Sequence, residues 1–333
     1  MTVSIIIAVK TWQKNLEECV DKCRQLDYPD FEIIILPDNE VTIPLPLPLP
    51  IPIPVSIIPT GPVCPADKRD IAIKYAKGEI IAFIDDDAYP VKDWLKNALE
   101  NFKDEGVAAV GGPAITSPRD NLRQKASGII YSSVLVSAKY NYRYFPKKKR
   151  EIDDYPSCNF LVRKSIMQEL GGFNTKFWPG EDTKLCLDIT QGLGKKIIYD
   201  PCVLVYHHRR PIFIPHLKQA ANYALHRGYF VKKYPQNSLK LPYFIPTLFL
   251  FALIAGAILS LISLPLRITY SLGVFLYLTL VLIFSIHKDL RLIPLAFFGI
   301  IFTHLTYGFY FLKGLLSKRL SEENRVGSVP EGD

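Results

Sequence analysis

The stretch Ile80-Ile81-Ala82-Phe83-Ile84-Asp85-Asp86-Asp87-Ala88-Tyr89-Pro90 restricts the fold more than any other part of the chain. Its apolar run reads as a strand buried in a parallel sheet, and such sheets hold ligands beyond the carboxyl ends of their strands. Three adjacent carboxylates repel one another and cost desolvation, so they need a cation or abundant water. A solvated acidic turn is the plainer reading of the triplet alone. Hard oxygen donors also suit Mg2+ or Mn2+, ions that commonly serve phosphate substrates, and the neighbouring segments favour that second reading.

Residues 3–9 read as a buried strand, 16–26 as a helix with Leu16, Cys19, Val20 and Cys23 on one side, and 31–36 as a second strand ending at Pro37-Asp38-Asn39-Glu40. Strand, helix, strand is the βαβ unit of a nucleotide-binding sheet. Residues 43–54 then alternate Leu or Ile with Pro, which excludes a central strand and predicts an extended polyproline segment, read as a surface loop. A short strand at 55–58 leads to a helix at 67–77 carrying Lys68, Arg69 and Lys74. A cationic helix start beside a carboxylate triplet suits a metal-bound pyrophosphate, whose charge the ion and the basic side chains share. A helix at 91–102 and a strand at 107–111 follow.

Residues 121–155 read either as a solvated loop or as a flap, with Tyr140, Tyr142, Tyr144 and Phe145 beside Lys147-Lys148-Lys149-Arg150, meeting anionic lipid or a phosphorylated acceptor. Farther on, Phe177-Trp178-Pro179-Gly180-Glu181-Asp182 opens an amphipathic helix. Two carboxylates there fit a base in a pocket, or charges favoured by the helix dipole. Strands at 196–199 and 203–206 precede His207-His208-Arg209-Arg210; a histidine at a strand end is a ligand candidate once a carboxylate triplet is at hand.

Composition divides the 333-residue chain, because Leu, Ile and Phe dominate from about residue 241. With membrane segments present, the formal charge of +8 points to lipid headgroups and phosphate esters, not to nucleic acid. The six cysteines lack C-x-x-C spacing and read as reduced thiols, and the first apolar run is too short for a signal peptide. Residues 215–234 form a basic amphipathic segment expected in the membrane interface. Apolar stretches at 243–264, 269–286 and 293–312 follow, against about 20 residues needed to span. Lys232, Lys233 and Lys240 put the first two thirds of the chain in the cytoplasm, and Lys288 and Arg291 agree. Lys313, Lys318 and Arg319 also prefer the inside, whereas three full spans put them outside. The third stretch, interrupted by Thr303, His304, Thr306 and Gly308, is left open between spanning, pairing and lying at the interface.

In order and spacing, Ser4-Ile5-Ile6-Ile7-Ala8-Val9, Pro37-Asp38, Lys68-Arg69, Asp85-Asp86-Asp87, Gly171-Gly172-Phe173, Glu181-Asp182 and His207 resemble a family 2 glycosyltransferase of the GT-A fold, an inverting, nucleotide-sugar-dependent class. The resemblance implies an α/β, Rossmann-like GT-A domain over residues 1–212, an interfacial helix over 213–240, two or three membrane helices within 241–316 and a polar tail. By the same resemblance Ala8, Lys10 and Asp38 hold the nucleoside, Lys68 and Arg69 lie near the diphosphate, and Asp85 and Asp86 contact the donor. Asp87 binds Mg2+ or Mn2+, His207 completes the metal site with His208 as substitute, and Asp182 of the Glu181-Asp182 pair is the general base.

Several positions depart from the family pattern. Ala8, Lys10 and Thr11 replace the usual proline-tyrosine-asparagine signature, Asp38 stands alone, Asp70 occupies a frequent asparagine position, and Asp188 stands where arginine often follows the pair. The absence of Q-x-x-R-W disfavours processive synthesis. The expected activity is metal-dependent transfer of one sugar, from a UDP- sooner than a GDP-linked donor, to a lipid-linked or glycan acceptor at the cell membrane. A polyprenyl-phosphate sugar synthase, needing no base, and a non-catalytic membrane scaffold are the rivals.

Overall fold

Short apolar runs with β-branched residues supply the strands: β1 (Val3–Ala8), β2 (Phe31–Leu36), β3 (Val55–Ile57), β4 (Ile80–Ile84), β5 (Ala88–Pro90), β6 (Val107–Gly111), β7 (Ala114–Thr116), β8 (Arg150–Ile152), β9 (Asn159–Arg163), β10 (Lys196–Tyr199) and β11 (Val205–His207). Between and after them come α1 (Lys14–Arg24), α2 (Pro65–Tyr75), α3 (Trp94–Asn101), α4 (Leu122–Ser132), α5 (Val134–Ser137), α6 (Lys164–Leu170), α7 (Glu181–Leu187), α8 (Ile214–Lys233), α9 (Pro235–Ser238), α10 (Leu241–Leu259), α11 (Leu264–Ser285) and α12 (Leu292–Leu316). The computed structural model describes residues 1–41 and 53–324; most of the Leu/Ile-Pro repeat lies outside the described residues.

Eight strands form one sheet in the order β3-β2-β1-β4-β9-β6-β10-β8. β1 runs parallel to β2 and β4, and β9 runs antiparallel to both β4 and β6, so β1, β2, β4 and β6 end at one edge. Helices cover both faces, with α1 and α3 over one core layer and α2 and α6 over the other. A second sheet, β5-β11-β7, starts immediately after the carboxylate triplet. Residues 88–90 pair antiparallel with β11, setting His207 opposite Ala88. Asn159, fully buried, ties the two sheets by accepting from the Trp94 indole at 2.9 Å and donating to the carbonyls of Gly112 (2.6 Å) and Val203 (2.8 Å).

The ambiguous 121–155 segment is largely helical. Asn121 and Gln124 form a reciprocal capping box at the start of α4, and Tyr140 and Tyr142 are buried, while Phe145 and the following basic residues face outward.

Helices α10, α11 and α12 are long and apolar enough to cross a membrane. The first two bury little within the protein. By contrast, α12 buries a stripe through Ala296, Gly299, Ile300, Thr303, Gly308, Phe311 and Gly314. The amphipathic α8 does not offer its small-residue face to lipid: Ala220, Ala221, Ala224 and Gly228 are buried, and α12 packs along the helix. A Cβ on Gly228 would stand 2.1 Å from the Phe311 carbonyl oxygen, and one on Gly314 2.0 Å from that of Leu225. Helix propensity alone makes Gly228→Ala stabilising by about 1 kcal/mol. The close approach reverses the sign, and we expect a net loss of about 1–3 kcal/mol, seen as a lower Tm of the detergent-purified protein. A raised Tm would show that α8 and α12 do not meet at this point.

Candidate active site

Three strand ends and two helix starts converge at the carboxyl edge of the large sheet. Ala8 closes β1, the exposed Lys10 follows it, and Asp38 lies just past β2, its N–H donating to the Lys10 carbonyl at 3.0 Å. Buried Lys68 donates to the carbonyls of Val9 (2.7 Å) and Leu36 (3.1 Å) and to Asp38 Oδ1 (2.5 Å). All three N–H donors of its ammonium are engaged, so it secures the ends of β1 and β2 and orients Asp38 instead of facing a diphosphate. Arg69, the next residue, points elsewhere. It donates to Asp85 Oδ1 at 2.9 Å and Glu181 Oε1 at 3.0 Å, with its guanidinium 5.8 and 5.7 Å from the Phe83 and Phe173 ring centres.

Asp85 follows β4 directly, and the small sheet then folds the chain back so that the His208 N–H donates to the Asp87 carbonyl at 2.8 Å. His207 Nε2 stands 2.8 Å from Asp87 Oδ1. One ligand atom each from Asp85, Asp87 and His207 falls within 4.8 Å of the others. Two carboxylate oxygens and one imidazole fit Mn2+ or Mg2+ with positions left for phosphate oxygens. Arg209 donates to His207 Nδ1 at 2.8 Å, which turns Nε2 towards Asp87. Asp86 accepts from the Gln13 amide; burial first, then Asp87 and Asp85, push its pKa up to about 7. His208 does not join the group. It lies between Asp120 Oδ1 (2.6 Å) and Glu18 Oε2 (2.9 Å), and although burial opposes its charge, these carboxylates raise its pKa.

On the opposite side, Gly180 at φ +115° begins α7, and a Cβ there would stand 2.4 Å from the Phe230 ring of α8. The two carboxylates that follow differ in surroundings. Glu181 is buried on Arg69, whereas Asp182 stays partly open, with Oδ1 accepting from the Thr183 N–H at 2.8 Å. Burial, and then Glu181 and Asp154, push the Asp182 pKa up to about 7 against the pull of Arg227 and Arg143. Behind it lies a network that sequence reading missed. Asp154 accepts from Arg227 at 2.8 Å, Arg143 at 3.2 Å and the Thr183 hydroxyl at 3.1 Å, while Asn237 donates to the Thr183 carbonyl at 2.9 Å. Its members are spread over almost a hundred residues, so no local pattern marks them.

Two sequence departures acquire a place. Asp188 pairs with Lys184 one turn back on the helix. Asp70 accepts the Phe173 N–H at 2.9 Å, closing the Gly171-Gly172-Phe173 turn that sets Phe173 against Arg69.

The large sheet, its carboxyl-edge carboxylates and the small sheet behind them define a GT-A domain. The model of glycosyl transferase family 2 matches residues 4–171, half of the chain, and the chain belongs to that family. A Mycobacterium tuberculosis pre-mycofactocin glycosyltransferase is 30% identical over 147 residues, 44% of this chain and 30% of that protein, so the chain spans under a third of this relative's length. A Methanococcus voltae relative, dolichyl N-acetyl-alpha-D-glucosaminyl phosphate 3-beta-D-2,3-diacetamido-2,3-dideoxy-beta-D-glucuronosyltransferase, is 24% identical, with 94% of this chain and 97% of that one covered. In fold, the chain is similar to the mannosyltransferase PcManGT from Pyrobaculum calidifontis, solved in complex with GDP-Man and Mn2+. The TM-score is 0.65 at 18% identity, over 95% of this chain and 88% of the other.

Burial raises the Asp70 pKa from 3.8 to about 6. Folding therefore favours the protonated carboxyl, and stability falls as pH rises through that interval. We expect Asp70→Asn, which keeps the acceptor, to stabilise the protein above about pH 7 by up to about 3 kcal/mol, from about 1.4 kcal/mol per pKa unit. The gain should vanish towards about pH 4. Thermal unfolding across that range checks it, and a gain independent of pH would contradict it.

Proposed function

We propose that the protein transfers a single sugar, with inversion, from a nucleotide-diphosphate sugar to a lipid-linked or membrane-proximal acceptor. The observation that carries this reading is the Asp85, Asp87 and His207 group on one side of a cleft and Asp182, with its raised pKa, on the other, bridged through Arg69 and Glu181. Asp87 and His207, with Asp85, would hold Mg2+ or Mn2+, which when bound shares the negative charge of the donor diphosphate. Ala8, Lys10 and Asp38 border the nucleoside, and Asp85 and Asp86 face the donor sugar. Asp182 takes the proton of an acceptor hydroxyl. The oxygen forms its bond to the anomeric carbon while the bond from that carbon to the diphosphate breaks, and the electron pair leaves with the nucleotide. A pKa near 7 gives the carboxylate proton affinity suited to that role. The lipid-linked acceptor is supported by the name of the Methanococcus relative and by the apolar helices. UDP-sugars and GDP-mannose, which the Pyrobaculum protein holds, head the donor panel.

We place α10 and α11 in the membrane as a hairpin and α12 along its cytoplasmic face. A helix crossing the bilayer carries one end about 30 Å away from the other side. Yet α12 touches α8 along its length: Thr303 is 2.9 Å from His216, Gly314 packs on Leu225, and the Ser317 carbonyl accepts from Lys232. With Lys218, Lys232 and Lys233, α8 is too charged to cross. This arrangement puts Lys313 and Lys318 on the same side as Lys232, as their charge requires.

Asp182→Asn should retain donor binding and lower transfer about 10²–10⁴-fold, followed by nucleotide release with and without acceptor lipid extract; unchanged transfer removes Asp182 from the role. Green fluorescent protein fused after Asp333 should fluoresce and alkaline phosphatase fused there should be inactive, whereas the reverse would place the tail outside.

A further inference from the structure

Helix α8 lies beyond the residues of the family match and packs beside the segment that carries Asp182. Gln219, Tyr223 and Arg227 recur every fourth residue on α8 and so share one face. At one end of this face, Arg227 donates to the Thr183 hydroxyl at 3.2 Å, beside Asp182. At the other, Gln219 Oε1 accepts from the Tyr131 hydroxyl at 3.2 Å. The Tyr131 ring stacks on that of Tyr144 at 5.2 Å, and Tyr144 covers Arg209, which donates to His207. Contacts thus run without a break from the metal-ligand group, through Tyr144, Tyr131 and Gln219, to Tyr223 between the two ends.

Tyr223 is 47% exposed, on the same face of α8 as Gln219 and Arg227. Gln219 Nε2 donates to the Tyr223 oxygen at 3.2 Å. The Tyr223 hydroxyl proton and the second Gln219 amide proton therefore have no protein acceptor among the described residues. The exposed Tyr223 ring with outward amide and phenol donors matches a sugar ring, which offers C–H groups on its faces and hydroxyl oxygens at its rim.

Charge disfavours the other common acceptor end. Arg227, Arg143 and Arg69 all act on Asp182, the first two paired with Asp154 and the third with Asp85 and Glu181. The exposed Arg210 acts on Asp87, at the donor side. A phosphate brought to Asp182 would face Glu181, Asp154 and Asp182 itself, with Arg227, Arg143 and Arg69 already engaged by carboxylates.

We propose that Gln219 and Tyr223, positioned from behind by Tyr131 and Tyr144, form the acceptor subsite, and that it takes the terminal sugar of a lipid-linked saccharide, not a bare lipid phosphate. The assignment rests on the glycosyltransferase reading above and names the acceptor class for it.

Binding without turnover separates the two. Full-length protein carrying Asp182→Asn is placed in nanodiscs. It is titrated with a short-chain polyprenyl phosphate, bare and bearing one glucose, N-acetylglucosamine or mannose, in the presence of Mn2+ and nucleoside diphosphate. At least one glycosylated lipid should bind about tenfold more tightly than the bare one, and Tyr223→Ala or Gln219→Ala should remove that preference. With Asp182 restored, the same substitutions should raise the acceptor KM about tenfold with the donor KM unchanged, a split that general misfolding does not produce. Equal binding of bare and glycosylated lipids, or equal shifts in both KM values, overturns the subsite. Full transfer by Asp182→Asn alone overturns the base assignment and leaves the binding result standing.

Discussion

Arg69 is the interaction on which the site depends. Three carboxylates end β4 and two begin α7, and without a cation between them these termini would repel. One buried guanidinium, resting against a pair of phenyl rings, takes one oxygen from each cluster. Arginine suits this place because its planar fork can address two carboxylates at fixed angles, which a lysine ammonium does not do. Removing one member of such a buried set costs about 3–5 kcal/mol, because the partners remain as uncompensated charges. The pairing is also selective. It engages one oxygen of Asp85 and one of Glu181, leaving Asp87 on His207 and Asp182 partly open.

Neighbouring residues of the same type are thus given different work by their surroundings. Glu181 is locked on Arg69, while Asp182, one residue on, stays open to the cleft. Consecutive side chains at a strand end point to opposite faces, so His207 meets Asp87 while His208 turns to Asp120 and Glu18. The antiparallel register of β5 and β11 fixes which histidine faces which way, because it sets His207 opposite the residue after Asp87.

This explains what was legible in the amino-acid sequence. The long-sheet strands and the carboxylates at their ends are local signals: an apolar run, then a sharp change to acid. The partners of those carboxylates are not local. Lys68 and Arg69 stand side by side in one helical turn and read as a joint cationic patch, yet successive helical positions diverge, so one reaches back to Asp38 and the other forward to Glu181. Nor does any pattern link Asp154 to Arg227, or Asn159 to Gly112 and Val203, whose contacts exist only once the small sheet and α8 have docked. The choice between His207 and His208 depends on β5, a three-residue strand ending in Pro90 that carries no local strand signal.

The same long-range contacts couple the α/β domain to its membrane helices. Helix α7 has only seven residues and no side-chain cap at its start, so its position is supplied from outside. Phe230 fills the space that the missing Gly180 side chain leaves, Arg227 and Asp154 hold the Thr183 hydroxyl, and Asn237 holds its carbonyl. Arg227 also lies 4.7 Å from the ring of Tyr243, at the beginning of α10. The segment bearing Asp182 is therefore complete only when α8 and α9 are docked, and α8 is in turn held by α12 through contacts too close for any residue but glycine. Detaching the membrane region would remove more than an anchor: it would take away one wall of the cleft and the clamp on the helix that carries its principal carboxylate.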